Sequence, residues 1–317
     1  MDKSSMKVAG IDTGKLKLDV ALTGVEEQLT VDNDAAGHER LLRWLRGHGA
    51  ERVGIEASGG YESPVVAFLR AAGFTVIRFQ PAQVRAYAGF KLQRAKNDRI
   101  DAALIAACAA AVDTVHAAPD PRLEPLAERL TLIDQIEEDI ARFKTRREAV
   151  RDALRRRRLD REIARLVAWR TLELKRLGGI LRAHADLARR LDLVMSVDGV
   201  GERTAIAFLV RAPELGQIDR EAAAALVGFA PYDDDSGGRH GQRHVAGGRK
   251  RLARSVYAAA LPAAFRWNAE LVAFYKRLVA KGKPHRVALV ACARKLVIFV
   301  NTVLARGTPW VAKQAAS

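Results

Sequence analysis

Cysteine is nearly absent. Cys108 and Cys292 are the only two in 317 residues, far apart in alanine-rich sequence, with no histidine or second cysteine at zinc-ligand spacing. That argues against a disulfide framework or a cysteine-based zinc site and makes both small buried hydrophobes of a reducing compartment. No segment strings together the ~18 apolar residues of a membrane helix. Residues 1–7 are polar, so no signal peptide and no membrane are expected, and a cytoplasmic protein is. Acidic residues are outnumbered, 37 against 53 lysines and arginines, for a net charge of +16. Such an excess favours an anionic partner, nucleic acid first and an acidic membrane surface second. The hydrophobic fraction of 49% fits a globular chain and excludes a disordered one.

Three regions follow from patterning. Residues 1–118 alternate short apolar runs (7–13, 17–23, 28–33, 52–57, 75–79) with helical stretches (from 41, 61–72, from 81, 98–111). The order β-β-β-α-β-α-β-α predicts a mixed sheet covered by helices, the order of ribonuclease-H-like nucleases. Residues 119–193 contain neither proline nor glycine between Leu126 and Leu177. Apolar residues recur there at helical steps through Leu126, Leu130, Ile133, Ile140, Phe143, Val150 and Leu154, which predicts a long amphipathic helix in a coiled-coil hairpin. Its turn is expected near 155–160, with a return helix through Ile163, Leu166, Leu174, Leu177 and Leu181. Arg155, Arg156, Arg157 and Arg158 would cluster at the tip, either as a solvated face or as phosphate contacts. Residues 194–317 read as a mainly helical third domain. Its segment SVDGVGERTAIAFL places Gly199 and Gly201 between two helices, as a helix-hairpin-helix grip on a phosphate backbone or a plain helix–helix turn.

The chemistry lies in the acids. Asp12 ends the apolar run 8–11, and Glu56 ends the run 53–55. If those strands are parallel neighbours, both carboxylates leave the sheet at one end. Asp98 and Asp101 are three apart at a helix start, so they share a face. Taken singly, Asp98 or Asn97 could be an N-cap, and Asp12 could open a turn. Asp19, Asp32 and Asp34 are rival acids explained by strand or capping positions. Four acids from three elements suit oxygen-preferring divalent ions in phosphodiester chemistry.

The segments GIDTGKLKLDVAL, GIEASGGYE and AKNDRIDAALIA resemble the three acid motifs of the DEDD transposases of bacterial insertion sequences, which carry a RuvC-like nuclease domain. The match falls on Asp12, Glu56, Asp98 and Asp101, with Asn97 where the family often has threonine. The resemblance spans nearly the whole chain. In the C-terminal segment FAPYDDDSGGRHGQRHVAGGRK, it implies a nucleophilic serine at Ser236 that bonds covalently to cut DNA. A metal ion, Asp235 or His240 could activate that hydroxyl. Arg239, Arg243, Arg249 and Lys250 are placed to meet phosphate. The resemblance further implies Mg2+ at the four acids, as two ions with Mn2+ an alternative. It implies donor and target DNA, a structured guide RNA, and a dimer or tetramer whose protomers share the site. The expected activity is that of a DNA transposase or recombinase. The alternative is a RuvC-like, Holliday-junction-type endonuclease that uses water.

Overall fold

The computed structural model describes residues 6–92, 98–113, 115, 120–232 and 244–311, with side chains omitted at 98–100. The chain forms two compact units, Met1–Ala118 and Pro119–Ser317.

The first unit is built on a five-stranded sheet. Its elements run β1 (Val8–Thr13), β2 (Lys17–Leu22), β3 (Val25–Asp32), α1 (Ala35–Gly47), β4 (Arg52–Glu56), α2 (Ser63–Ala71), β5 (Thr75–Phe79), α3 (Pro81–Phe90) and α4 (Asp98–Ala110). The strand order is β3-β2-β1-β4-β5. The first three strands are an antiparallel meander, and β4 and β5 run parallel to β1. Element order and mixed sheet agree with the expectation of a ribonuclease-H-like domain. Alternation decides the two faces. Ala9, Ile11, Leu18, Val20, Val53 and Ile55 point one way, into a core with Leu41 and Leu45 of α1 and Val65, Val66 and Leu69 of α2. Val8 points the other way, toward Val84 of α3 and Leu104, Ile105, Cys108 and Ala109 of α4.

Gly10 and Gly54 face each other across β1 and β4 on this second face. A Cβ on Gly10 would stand 2.1 Å from the Ala102 carbonyl oxygen and 2.2 Å from the Ala106 nitrogen. One on Gly54 would stand 2.7 Å from the Ala109 Cβ. The backbone of α4 therefore lies on the sheet, with alanines beneath it and no room for larger side chains.

The second unit is helical. A hairpin is formed by α5 (Glu124–Ala149) and α6 (Ala153–Arg182), followed by α7 (Ala185–Met195), α8 (Glu202–Arg211) and α9 (Arg220–Val227). Next come the two-residue strands β6 (Pro231–Tyr232) and β7 (His244–Val245), then α10 (Lys250–Pro262), a π-helical segment Ala263–Trp267, α11 (Ala269–Ala280) and α12 (His285–Arg306). The hairpin is antiparallel, because its ion pairs join Arg147 to Asp160, Arg170 to Glu137 and Arg129 to Glu173. Its turn is at 150–152, earlier than the expected 155–160. The reason is Asp152, whose side chain accepts from the Arg155 amide at 2.8 Å and caps α6. The arginine run thus opens α6 instead of forming the turn, and Leu154 is 65% exposed. Leu126, Leu130 and Ile133 of α5 and Leu177 and Leu181 of α6 join the main core with α7, α8, α10 and α12.

Helices α9 and α11 show no clear apolar periodicity in the sequence; α11 buries Leu271 alone. Among the described residues, α12 alone is long and apolar enough to cross a membrane. Its Leu289, Cys292, Leu296, Val297, Val300 and Val303 are buried in the core, which accounts for that apolarity. Both cysteines are buried, and burial pushes the Cys292 thiol up to about 11 against the opposing pull of Lys295.

Gly10→Ala should lower stability by about 3 kcal/mol, because the added carbon meets helix backbone that cannot rotate away. Gly47→Ala, in α1 with nothing within 4 Å of its Cβ position, should stabilise by about 0.5 kcal/mol. Urea unfolding of both variants checks the contrast.

Candidate active site

The direction of α4 follows from three contacts. Arg52, at the start of β4, donates to the carbonyls of Ala109 and Val112 at 3.1 and 2.9 Å, just where a helix end favours a cation. Gly54 meets Ile105 and Ala109, and Gly10 meets Ala102 and Ala106. The helix therefore runs antiparallel to β1 and β4, and its N-terminus lies where those strands end. Asp12 follows Gly10 by two residues, and Glu56 follows Gly54 by two, so both acids share the face covered by α4. From Gly10 to Asp12 the strand advances about 7 Å. From Ala106 back to Asp101 the helix covers about 7.5 Å. Asp12 and Glu56 therefore stand toward the end of the sheet to which the N-terminal part of α4, with Asp101, is directed. Each of the three acids is half-buried.

Asp98 is the first residue of α4, one turn beyond Asp101, and its side chain lies outside the described residues. Among the described residues, no three His, Cys, Asp or Glu side chains stand at cation-holding spacing. The donors are all carboxylate oxygens, a chemistry that fits a hard divalent cation such as Mg2+ or Mn2+.

Asp19 deserves more weight than its strand position suggested. It sits directly opposite Asp12 across the antiparallel pair, hence on the same face. It is 8% exposed and accepts from the Thr30 hydroxyl at 2.7 Å, with the Lys17 ammonium 3.0 Å away. The antiparallel register of β1 and β2 was the signal that could have found it. Glu62 is a second overlooked acid. Its buried carboxylate accepts from the Ser58 and Gly60 amides at 3.0 and 2.9 Å, with Arg78 at 3.8 Å. It thus fixes the loop that follows Glu56. Burial alone would raise its pKa, but the amides of Glu62, Ser58 and Gly60 together with Arg78 prevail and hold it below the usual carboxylate value.

In the second unit, Ser236, Asp233, Asp234, Asp235, Arg239, His240 and Arg243 lie outside the described residues. On either side of that segment, Tyr232 pairs with His244 and Pro231 with Val245. Arg155, Arg156, Arg157 and Arg158 are exposed at the start of α6, and Lys250 is exposed at the start of α10. The guanidinium of Arg249 is engaged by Glu214 at 2.5 and 2.7 Å and by the Arg211 carbonyl at 2.6 Å. Gly199 has φ +93°, and a Cβ there would stand 2.4 Å from that of Ala263. Gly201 caps α8 with open space around it.

Two family models match the chain: a DEDD transposase model of IS110 type, described as a transposase, over residues 9–156, and one described as transposase IS116/IS110/IS902 family over residues 191–276. Between them they cover well over half of it. The pilin gene-inverting proteins of Moraxella bovis and Moraxella lacunata are each 24% identical over 311 residues, spanning 95% of this chain and 96% of theirs. The insertion element IS110 uncharacterized 43.6 kDa protein of Streptomyces coelicolor is 30% identical over 151 residues, 46% of this chain and 35% of that one. A solved structure of Thermus thermophilus RuvC with a Holliday junction substrate aligns at a TM-score of 0.27 and 20% identity, over 32% of this chain and 91% of that one.

Glu62→Gln should cost about 1–2 kcal/mol at neutral pH through loss of charge-assisted hydrogen bonds. A carboxyl with a depressed folded pKa stabilises the fold fully above the ordinary glutamate value of about 4.3 and loses that contribution as pH falls through the folded value. The gap between wild type and variant should therefore close in acid. Urea titrations at stepped pH measure it.

Proposed function

The chain belongs to the transposases of the IS116/IS110/IS902 family, enzymes that cut and rejoin DNA, and on that premise we propose that it is an insertion-sequence recombinase working with a metal-binding acid tetrad and a serine nucleophile. The observation that carries the reading is the antiparallel seating of α4. It directs the N-terminal part of α4, which carries Asp101, toward the sheet end of Asp12 and Glu56, and so supports the reading. Asp12, Glu56, Asp98 and Asp101 would hold Mg2+ as two ions, or Mn2+ in its place. Such ions, when bound, supply charge stabilisation to the attacking and leaving oxygens of a phosphodiester.

The Ser236 hydroxyl attacks phosphorus. It forms a serine–phosphate ester, and the displaced DNA oxygen leaves with a proton. The ester conserves the phosphodiester bond. A hydroxyl from another DNA end can therefore reverse the step, restoring the serine and joining new ends without an external energy source. A structured guide RNA and a homo-oligomer complete the reading. The exposed arginine run at the start of α6 supports a nucleic-acid contact there. Relatives named pilin gene-inverting proteins suit the same exchange, performed as inversion of a DNA segment.

The test uses supercoiled plasmid carrying the flanking DNA of the reading frame, with Mg2+ and the co-transcribed RNA. Asp12→Asn should slow cleavage about 100-fold, roughly 2.7 kcal/mol of barrier. Ser236→Ala should yield no detergent-stable protein–DNA adduct. An adduct trapped in that variant would overturn the serine assignment. Normal cutting without an adduct would instead make water the nucleophile and the protein a structure-specific endonuclease.

A further inference from the structure

The second unit carries a basic, aromatic surface of its own. Residues 263–286 hold six cations, Arg266, Lys276, Arg277, Lys281, Lys283 and Arg286, against a single acid, Glu270. Glu270 is 18% exposed and lies 3.8 Å from Lys295, so it offsets little of the outer charge. Within this field Phe265 is 51% and Trp267 59% exposed. Phe265 meets Tyr275 edge to face at 5.1 Å and lies nearly parallel to His285 at 6.0 Å. The Tyr275 hydroxyl and His285 Nδ1 are 2.6 Å apart. The Arg266 guanidinium lies over the Trp267 ring at 4.9 Å.

The backbone holds these rings out on a firm base. Ala263 and Ala264 are buried, whereas residues 265–267 all face outward. The intervening turn is π-helical, a rare form frequent at functional sites. It closes on Asn268, which is 1% exposed, accepts from the Leu271 amide and donates to the Asp198 carbonyl at 3.1 Å. The rings thus project from the packed core.

We propose that this face binds single-stranded DNA, with bases stacking on Trp267 and Phe265 and phosphates neutralised by the surrounding lysines and arginines. A protein partner would be met by an apolar patch with fewer cations. Duplex DNA keeps its bases stacked on one another and gains nothing from an aromatic ring. Unpaired bases gain both stacking and charge, as non-sequence-specific single-strand binders do. The inference rests on the recombinase reading, in which cutting and exchange expose unpaired strands.

The experiment measures fluorescence anisotropy of full-length protein with oligo(dT) of about 16 nucleotides, a duplex of equal length, and oligo(rU). Trp267→Ala should weaken oligo(dT) binding about tenfold while duplex binding changes less than about twofold. Trp267→Phe should restore most of the loss. Quenching of 2-aminopurine within the oligonucleotide should vanish with Trp267→Ala. Phe265→Ala should act in the same direction, read beside a thermal melt because Phe265 supports Tyr275 and His285. Unchanged oligo(dT) binding by Trp267→Ala, an equal loss on duplex, or a loss confined to oligo(rU) would overturn the proposal. Failure of the wild type to cut plasmid would sink the recombinase reading and leave these binding results intact.

Discussion

A carbonyl oxygen of α4 stands 2.1 Å from the place a Cβ on Gly10 would occupy, and the Ala109 Cβ stands 2.7 Å from that of Gly54. Helices ordinarily rest on sheets through interleaved side chains. Here the helix backbone itself rests on two adjacent residues that have none. The spacing fixes depth, register and direction together, and Arg52 reinforces the direction by binding the C-terminal carbonyls. The acids inherit this arrangement. They lie beyond the contact, at the end of the sheet where both parallel strands stop. Chemistry on a phosphate tolerates little positional error, and a backbone-on-backbone seat leaves little freedom to drift.

The second unit uses a different means of fixing position. Asp134 of α5, with 12% of its side chain exposed, is met by Arg203 and Arg211 of α8 and Arg251 of α10. Glu137 and Glu138 add pairs to Arg203, Arg170 and Arg254. Asp134, Glu137, Glu138, Arg203, Arg251 and Arg254 line a cleft of about 250 Å³ between the hairpin and the C-terminal helices. Buried charges without partners are costly, so the network specifies which face of α5 packs here more than it adds stability. Farther out, the buried apolar contact between the two helices is a small cluster around Ile136, Ile140 and Leu166, with the Arg147–Asp160 ion pair nearer the turn. Residues 151–158 are all exposed. The base of the hairpin is packed into the main core, whereas its far end has few apolar contacts.

The sequence made the sheet legible because its strands alternate cleanly and the acids end apolar runs. Thr75–Phe79 coincides with β5, and the mixed order follows from three strands set too close for crossovers. Less was legible where structure depends on pairing between distant residues. Asp19 looks like one acid within a strand until the register sets it opposite Asp12. The hairpin turn lies before the arginine run because Asp152 caps α6 there, whereas the run of like charges resembles a tip. Helices α9 and α11 leave little pattern because α9 is eight residues, half of them alanine, and α11 buries only Leu271 fully. Arg249, read as a phosphate ligand, has its fork filled by Glu214, thirty-five residues away in sequence.

Rejoining imposes a demand that cutting does not: the severed strand must be kept. Phosphate contacts alone hold a strand weakly and lose their grip as salt rises. An acid tetrad that activated water would release the end altogether. On the proposed reading the serine keeps one end by a covalent bond. The strand left unlinked then needs retention of another kind, and stacking of unpaired bases is less sensitive to salt than charge is. Phe265 and Trp267, set beside the cations of α11 and α12, offer that retention. Covalent capture of one strand and stacking of the other would make cutting and rejoining a reversible exchange.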